Sequence, residues 1–153
     1  MTTNLTLHLG VVDLGYGDSG ADGKPKSAVA STGDVAEILE EKYGLFTAFF
    51  TLHEQDIYDA LQGSLGSALD AILMGSPLTL NDFGEGASKI EELFKDFLSN
   101  REMEGLGRAD VPTGAAMRGV NHRLKHPYAK ANPRRPSFVD TGLLQSALKV
   151  WID

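Results

Sequence analysis

Glycine and proline cut this chain into short regular pieces, and that punctuation constrains its fold more than any other feature. Seventeen glycines and six prolines gather mainly in residues 15–33, 75–86, 105–119 and 127–142. Each stretch interrupts a regular pattern, because glycine weakens helices and strands alike and proline lacks the amide that both require. Loops of this size are uncommon inside an isolated compact domain and are usually functional or ordered by a partner. With 153 residues and 42% hydrophobic content, the chain can bury one core and is short for two. The expectation is an α+β fold: one mostly helical domain over residues 1–153, with a small sheet and long extended loops or arms. Segments 15–33 and 118–138 lack apolar periodicity and are expected to be flexible in the free monomer and ordered in an assembly.

The elements between the breaks are legible from periodicity. Leu5-Thr6-Leu7-His8-Leu9 alternates apolar with polar, which predicts a strand over about residues 5–14. The Gly/Asp-rich run after it lacks the alternating oxygen ligands and closing Glu of a calcium loop, so it reads as a turn. Asp34 and Glu37 are spaced for reciprocal capping, and Val35, Ile38 and Leu39 form a stripe, predicting a helix over residues 34–43 with Gly44 as its C-terminal cap. Leu45 to Leu52 fits either a strand or a buried helical turn. Ile57, Leu61, Leu65, Ala68, Leu69, Ile72 and Leu73 recur at helical spacing from Glu54 to near Gly75. Gly63 and Gly66 weaken that helix by roughly 1 kcal/mol each unless they admit a close neighbour. The clearest stripe is Ile90, Leu93, Phe94, Phe97 and Leu98, predicting a helix over residues 84–104 that packs on the preceding one. A terminal helix over about residues 141–151 is expected, with Asp140 or Thr141 as cap and Leu144, Leu148 and Trp151 as its buried stripe.

Charge divides the chain. Residues 1–117 carry seven Lys/Arg against nineteen Asp/Glu, whereas residues 118–153 carry seven against two, giving nets of -12 and +5. Arg118, Arg123, Lys125, Lys130, Arg134 and Arg135 follow one another with no acidic residue between them. Together with Phe138 they are the candidate interaction residues. Such a chain can pair head to tail with copies of itself or lay its basic end on nucleic acid. Tyr128 and Phe138 are sparse for a base-stacking platform, but charge alone suffices for sequence-independent DNA contact.

Enzyme chemistry finds little support. His53-Glu54 lacks the second His of a zinc helix, and the cationic neighbours of His122 and His126 oppose a divalent ion. Asp140-Thr141-Gly142 shares its letters with aspartic-protease loops, yet it stands before an apolar helical stripe and reads as a helix start. No glycine-rich loop carries the Lys that phosphate binding would need. No catalytic, cofactor-binding or metal residue is therefore expected, and the chain is read as a non-enzyme. The absence of cysteine leaves no disulfide or thiolate site and fits a reducing compartment. No run of eighteen apolar residues and no secretory leader is evident, so the protein is expected to be soluble, unexported and without a membrane partner.

Two stretches carry a resemblance. Gly119-Val120-Asn121-His122-Arg123-Leu124-Lys125-His126-Pro127-Tyr128, followed by Arg134-Arg135-Pro136-Ser137-Phe138-Val139-Asp140-Thr141-Gly142-Leu143, resembles the neck or tail-completion proteins of tailed bacteriophages, which carry a proline, a short gap and Asp-Thr-Gly-x-Leu near a helix start. Gly33 to Ile38 and the Tyr43-Gly44 turn are similar to related minor tail proteins. These matches cover about a third of the chain. The resemblance implies a virion protein at the head–tail junction, assembled as a homo-oligomeric ring in the host bacterial cytoplasm and touching other virion proteins. Members of that family usually continue into strands after this helix, whereas this sequence stops at Asp153, so its sheet is expected to be built differently or completed by another subunit. The alternative is a small nucleic-acid-binding protein using residues 118–135.

Overall fold

The computed structural model describes residues 6–15, 31–77 and 79–152. In chain order the elements are β1 (Leu7–Val11), α1 (Thr32–Tyr43), α2 (Leu45–Leu52), α3 (Glu54–Leu73), α4 (Gly84–Ser99), α5 (Gly114–Met117), α6 (Leu143–Ala147) and β2 (Leu148–Ile152), with short 3-10 turns at Leu80–Phe83 and Glu102–Leu106. The fold is α+β and mostly helical, with a two-stranded antiparallel sheet. Among the described residues no helix is long and apolar enough to cross a membrane. Of the segment 15–33, residues 16–30 lie outside the described part.

Helix α1 begins at Thr32, two residues before Asp34. Ser31 is its cap: the Ser31 hydroxyl accepts from the Asp34 amide at 3.2 Å and the Asp34 carboxylate accepts from the Ser31 amide at 3.1 Å. The same box motif thus operates with Asp in the second position. Gly44 ends α1 in the left-handed region at φ 60, where a Cβ would be strained. Glu40 then reaches forward to accept from the Phe46 amide at 2.7 Å and from the Thr47 amide and hydroxyl. These bonds satisfy orphan donors at the start of α2 and resolve residues 45–52 as a helix.

Helices α3 and α4 form the centre of the domain. Ile90, Phe94 and Phe97 are fully buried and Leu98 nearly so. Opposite them, α3 buries Ile57, Ala60, Ser64 and Ala68. The small α3 side chains permit close approach, and the glycine that exploits it is Gly86: its amide donates to Ser64 Oγ at 2.8 Å. A Cβ on Gly86 would lie 2.7 Å from the Ala60 carbonyl oxygen, whereas Gly63 and Gly66 face open space. Helix α4 ends at Ser99, short of the expected residue 104, and Arg101 at φ 64 turns the chain into the Glu102–Leu106 turn.

The end of the chain departs from expectation. The terminal helix stops at Ala147, and Leu148–Ile152 is a strand. Leu144 and Leu148 are buried as expected, but Trp151 is 47% exposed. Leu148 and Val150 point inward while Lys149 and Trp151 point outward, the period-2 pattern of a strand. Pairing runs from Leu7 opposite Ile152 to Val11 opposite Leu148, and β2 packs across α4. β-branched and aromatic side chains suit this pleated surface. Trp151 stacks on His8 at 5.2 Å between ring centroids, and its ring also covers Gly10. Buried Thr32 ties the sheet to α1, its hydroxyl donating to the Val12 carbonyl at 2.6 Å and accepting from the Leu14 amide at 2.8 Å.

Two glycine substitutions should therefore have opposite signs. Gly63→Ala is expected to stabilise the protein by about 0.5–1 kcal/mol through helix propensity. Gly86→Ala is expected to destabilise it by about 1–3 kcal/mol through overpacking against α3. Urea unfolding followed by circular dichroism measures both, and equal effects would contradict the packing described.

Candidate functional site

The basic segment contains little regular structure after α5, yet side chains tie it to the domain. Thr113 caps α5, its hydroxyl accepting from the Ala116 amide at 3.2 Å. Gly119 lies at φ 67 where the chain passes the carbonyls of Asn132 and Pro133, each 2.5 Å from where its Cβ would stand. Asn132 donates to the carbonyls of His126 and Pro127 at 2.8 and 2.9 Å. Glu104, whose side chain is only 10% exposed, anchors the far end. It accepts from the amide and hydroxyl of buried Ser137 at 3.2 and 2.9 Å and pairs with Arg134. Phe138, at φ 65, packs on Tyr43 at 4.9 Å between centroids.

The six cations expected to form one interaction surface divide into two groups. Arg135 turns inward: it donates to the Val120 carbonyl, to that of Pro136 at 3.1 Å and to that of Val139 at 2.7 Å. Arg123 donates to the Thr141 carbonyl at 2.5 Å, and Arg134 is held by Glu104. These three hold the segment's own fold together. Arg118, Lys125 and Lys130 are exposed, and among the described residues none has an ion-pair partner.

Asp140 does not cap a helix. Its carboxylate accepts from the His122 amide at 2.8 Å and pairs with His122 Nδ1, while His122 Nε2 lies 2.9 Å from the Tyr128 hydroxyl. Gly142, at φ 79, occupies the cap of α6, and Thr141 Oγ1 beside it accepts from the Leu143 amide at 3.3 Å. Burial opposes ionisation of Asp140, but the His122 amide and ring and the charges of His122 and Arg135 outweigh it and hold the carboxyl below its ordinary 3.8. His122 and His126 share no helical face, and the described residues contain no group of three or more potential metal ligands. His53, at the joint of α2 and α3, bonds Asp56 at 3.0 Å and Glu102 at 2.9 Å.

Arg118, Lys130, His122 and Tyr128 gather around one cleft of about 620 Å3, floored by Ala115 and Val120. Sequence reasoning singled out the two cations but missed the part played by Tyr128, because the bond that orients it runs through a carboxylate eighteen residues from His122. A second surface lies on α3. Tyr58, Leu65, Leu69, Ile72 and Leu73 on this helix are exposed, by 85% at Leu73. A pocket beside them joins Leu61, Leu65 and Phe83 to Leu7 and Ile152 of the sheet. Set against known protein families, curated proteins and solved structures, the chain matches none of them.

A depressed carboxyl value stabilises the folded state above the unfolded value, and that stabilisation is lost as pH falls through the folded value. Stability of the native protein is therefore expected to fall from about pH 4 downward, and Asp140→Asn should flatten part of that decline. Denaturant titrations at a series of pH values measure it. Identical pH profiles would show that the bonds to His122 do not favour the ionised carboxylate.

Proposed function

We propose that this chain is a structural subunit of the neck or tail-completion ring that joins head to tail in a tailed bacteriophage, assembled in the bacterial cytoplasm and carried in the virion. The observation that carries the assembly reading is the exposed stripe on α3, because large apolar side chains at consecutive helical turns are costly to leave in water. The two-stranded sheet beside it supports the same reading through the outer edge of β1, which can accept another strand, whereas the outward Val150 amide of β2 is already bound by Glu91 at 3.1 Å. Charge polarity supports a head-to-tail arrangement, in which the α3 face of one copy meets the next copy. Helix α3 contains Glu54, Asp56, Asp59 and Asp70 and no Lys or Arg, so it suits a neighbour's basic surface. Head-to-tail contacts that close form rings.

The phage assignment rests on the two resembling stretches, and side-chain bonds join them into one unit: His122 to Asp140, Arg123 to Thr141, and Arg135 to Val120. In this reading the protein works through interfaces with its own copies and with other virion proteins, and needs neither catalytic residue nor cofactor.

Purified protein is expected to form closed rings by electron microscopy and to be found at the head–tail junction of particles by immunolabelling. Leu65→Glu with Leu69→Glu should leave helical content unchanged and the protein monomeric in light scattering. A wild-type protein that stays monomeric at high concentration, or particles that lack it, would remove this assignment.

A further inference from the structure

The cleft lined by Arg118, His122, Tyr128 and Lys130 lies within the basic surface and adds to its cations a positioned phenol that charge pairing with an acidic helix does not require. Residues 111–139 contain no Asp or Glu. Asp140, the carboxylate beside the cleft, has both oxygens engaged by His122. Arg118 and Lys130 are thus left without a neutralising partner among the described residues.

The hydrogen-bond chain sets what Tyr128 presents. With both ring nitrogens of His122 protonated, Nδ1–H donates to Asp140 and Nε2–H to the phenol oxygen, so the phenol O–H is free to donate outward. With Nδ1 alone protonated, the phenol O–H donates to Nε2 and its oxygen offers only lone pairs. The first state places a hydroxyl donor with a guanidinium and an ammonium around one cleft. Three such donors match the oxygens of a tetrahedral anion.

We propose that this cleft binds a backbone phosphate of a nucleic-acid strand. The phosphodiester is favoured over a protein carboxylate because Ala115, Val120 and the exposed Tyr128 also line the cleft and give it an apolar wall that a sugar can cover. Lys125, on the same exposed loop and without an ion-pair partner among the described residues, extends the cationic surface beyond a single anion. The contact is independent of base sequence, since a backbone phosphate carries no information about the base.

The test uses the full chain and a fluorescently labelled single-stranded DNA at low salt, read by anisotropy. Arg118→Glu with Lys130→Glu is expected to weaken binding by at least about tenfold, and the slope of log affinity against log salt should fall by about 0.7 for each phosphate that the variant no longer neutralises. Lys42→Glu with Lys95→Glu makes the same change in net charge elsewhere and should weaken binding less than about threefold, since screening limits distant charges. Tyr128→Phe should weaken binding and leave thermal stability unchanged. If the charge-reversed cleft fails to fold, Arg118→Gln with Lys130→Gln replaces it. Wild-type protein that leaves the DNA free, or equal weakening by the two charge-reversed pairs, would overturn the proposal. So would unchanged DNA affinity with abolished self-association in the cleft variant, which would give the cleft to the acidic face of a second copy. Rings that form normally from protein unable to bind DNA would overturn this inference alone and leave the assembly reading standing.

Discussion

The whole domain depends on keeping one face of α4 dry. Phe94 stacks on Phe46 at 5.4 Å and meets Phe49 edge-on at 5.2 Å, and Phe97 lies 5.6 Å from Phe49. Helix α3 and strand β2 also pack against α4. Truncating one such buried phenylalanine costs about 3–5 kcal/mol, a large part of the roughly 5–15 kcal/mol that holds a domain together. Residues distant in sequence find their places by covering α4: α2 from before it, and β2 from the far end of the chain.

That dependence explains which parts of the fold the sequence reveals. The α4 stripe is continuous over nine residues, so one period describes it and the helix is read correctly except at its end, which comes at Ser99 instead of 104. Residues 45–52 are too few for a period to decide, and the deciding contact is Glu40 reaching from the preceding helix. At the chain's end, Leu144, Leu148 and Trp151 satisfy a helix while Leu148 and Val150 satisfy a strand. The choice belongs to Leu7–Val11, about 140 residues away in sequence. A local pattern contains no trace of a partner that remote. The α3 stripe shows the converse limit: its period correctly gives a helix, but only Ile57 and Ala68 of the seven apolar positions are buried. Periodicity reports which residues share a face and is silent on whether anything covers it.

The basic segment was legible in its charge and not in its division of labour. Arg123, Arg134 and Arg135 bind backbone carbonyls or Glu104 inside the chain, while Lys125 and Lys130 have no ion-pair partner among the described residues. The guanidinium carries five donors in a planar fork and can satisfy several carbonyls at once, as Arg135 does; an ammonium is a compact, strongly hydrated charge better left in water. Counting Lys and Arg together therefore overstates the charge available to a partner. The carboxylates matter in the same way. Glu104 and Asp140 serve as internal anchors, and without them the segment would have no fixed shape to present.

Trp151 gives the molecule an optical property of its own. It is the chain's single tryptophan, half-exposed, lying over Gly10 and against His8 on the outward face of the strand pair. Its indole sits on the same two strands that supply Leu7 and Ile152 to the apolar pocket beside α3. The emission of this one ring therefore reports the local solvent at the sheet, unmixed with any other indole, and a neighbour laid along the strands would shift it to shorter wavelength. Fluorescence at a single wavelength can thus follow, in unlabelled protein and in real time, whether the sheet face stands in water or against another surface.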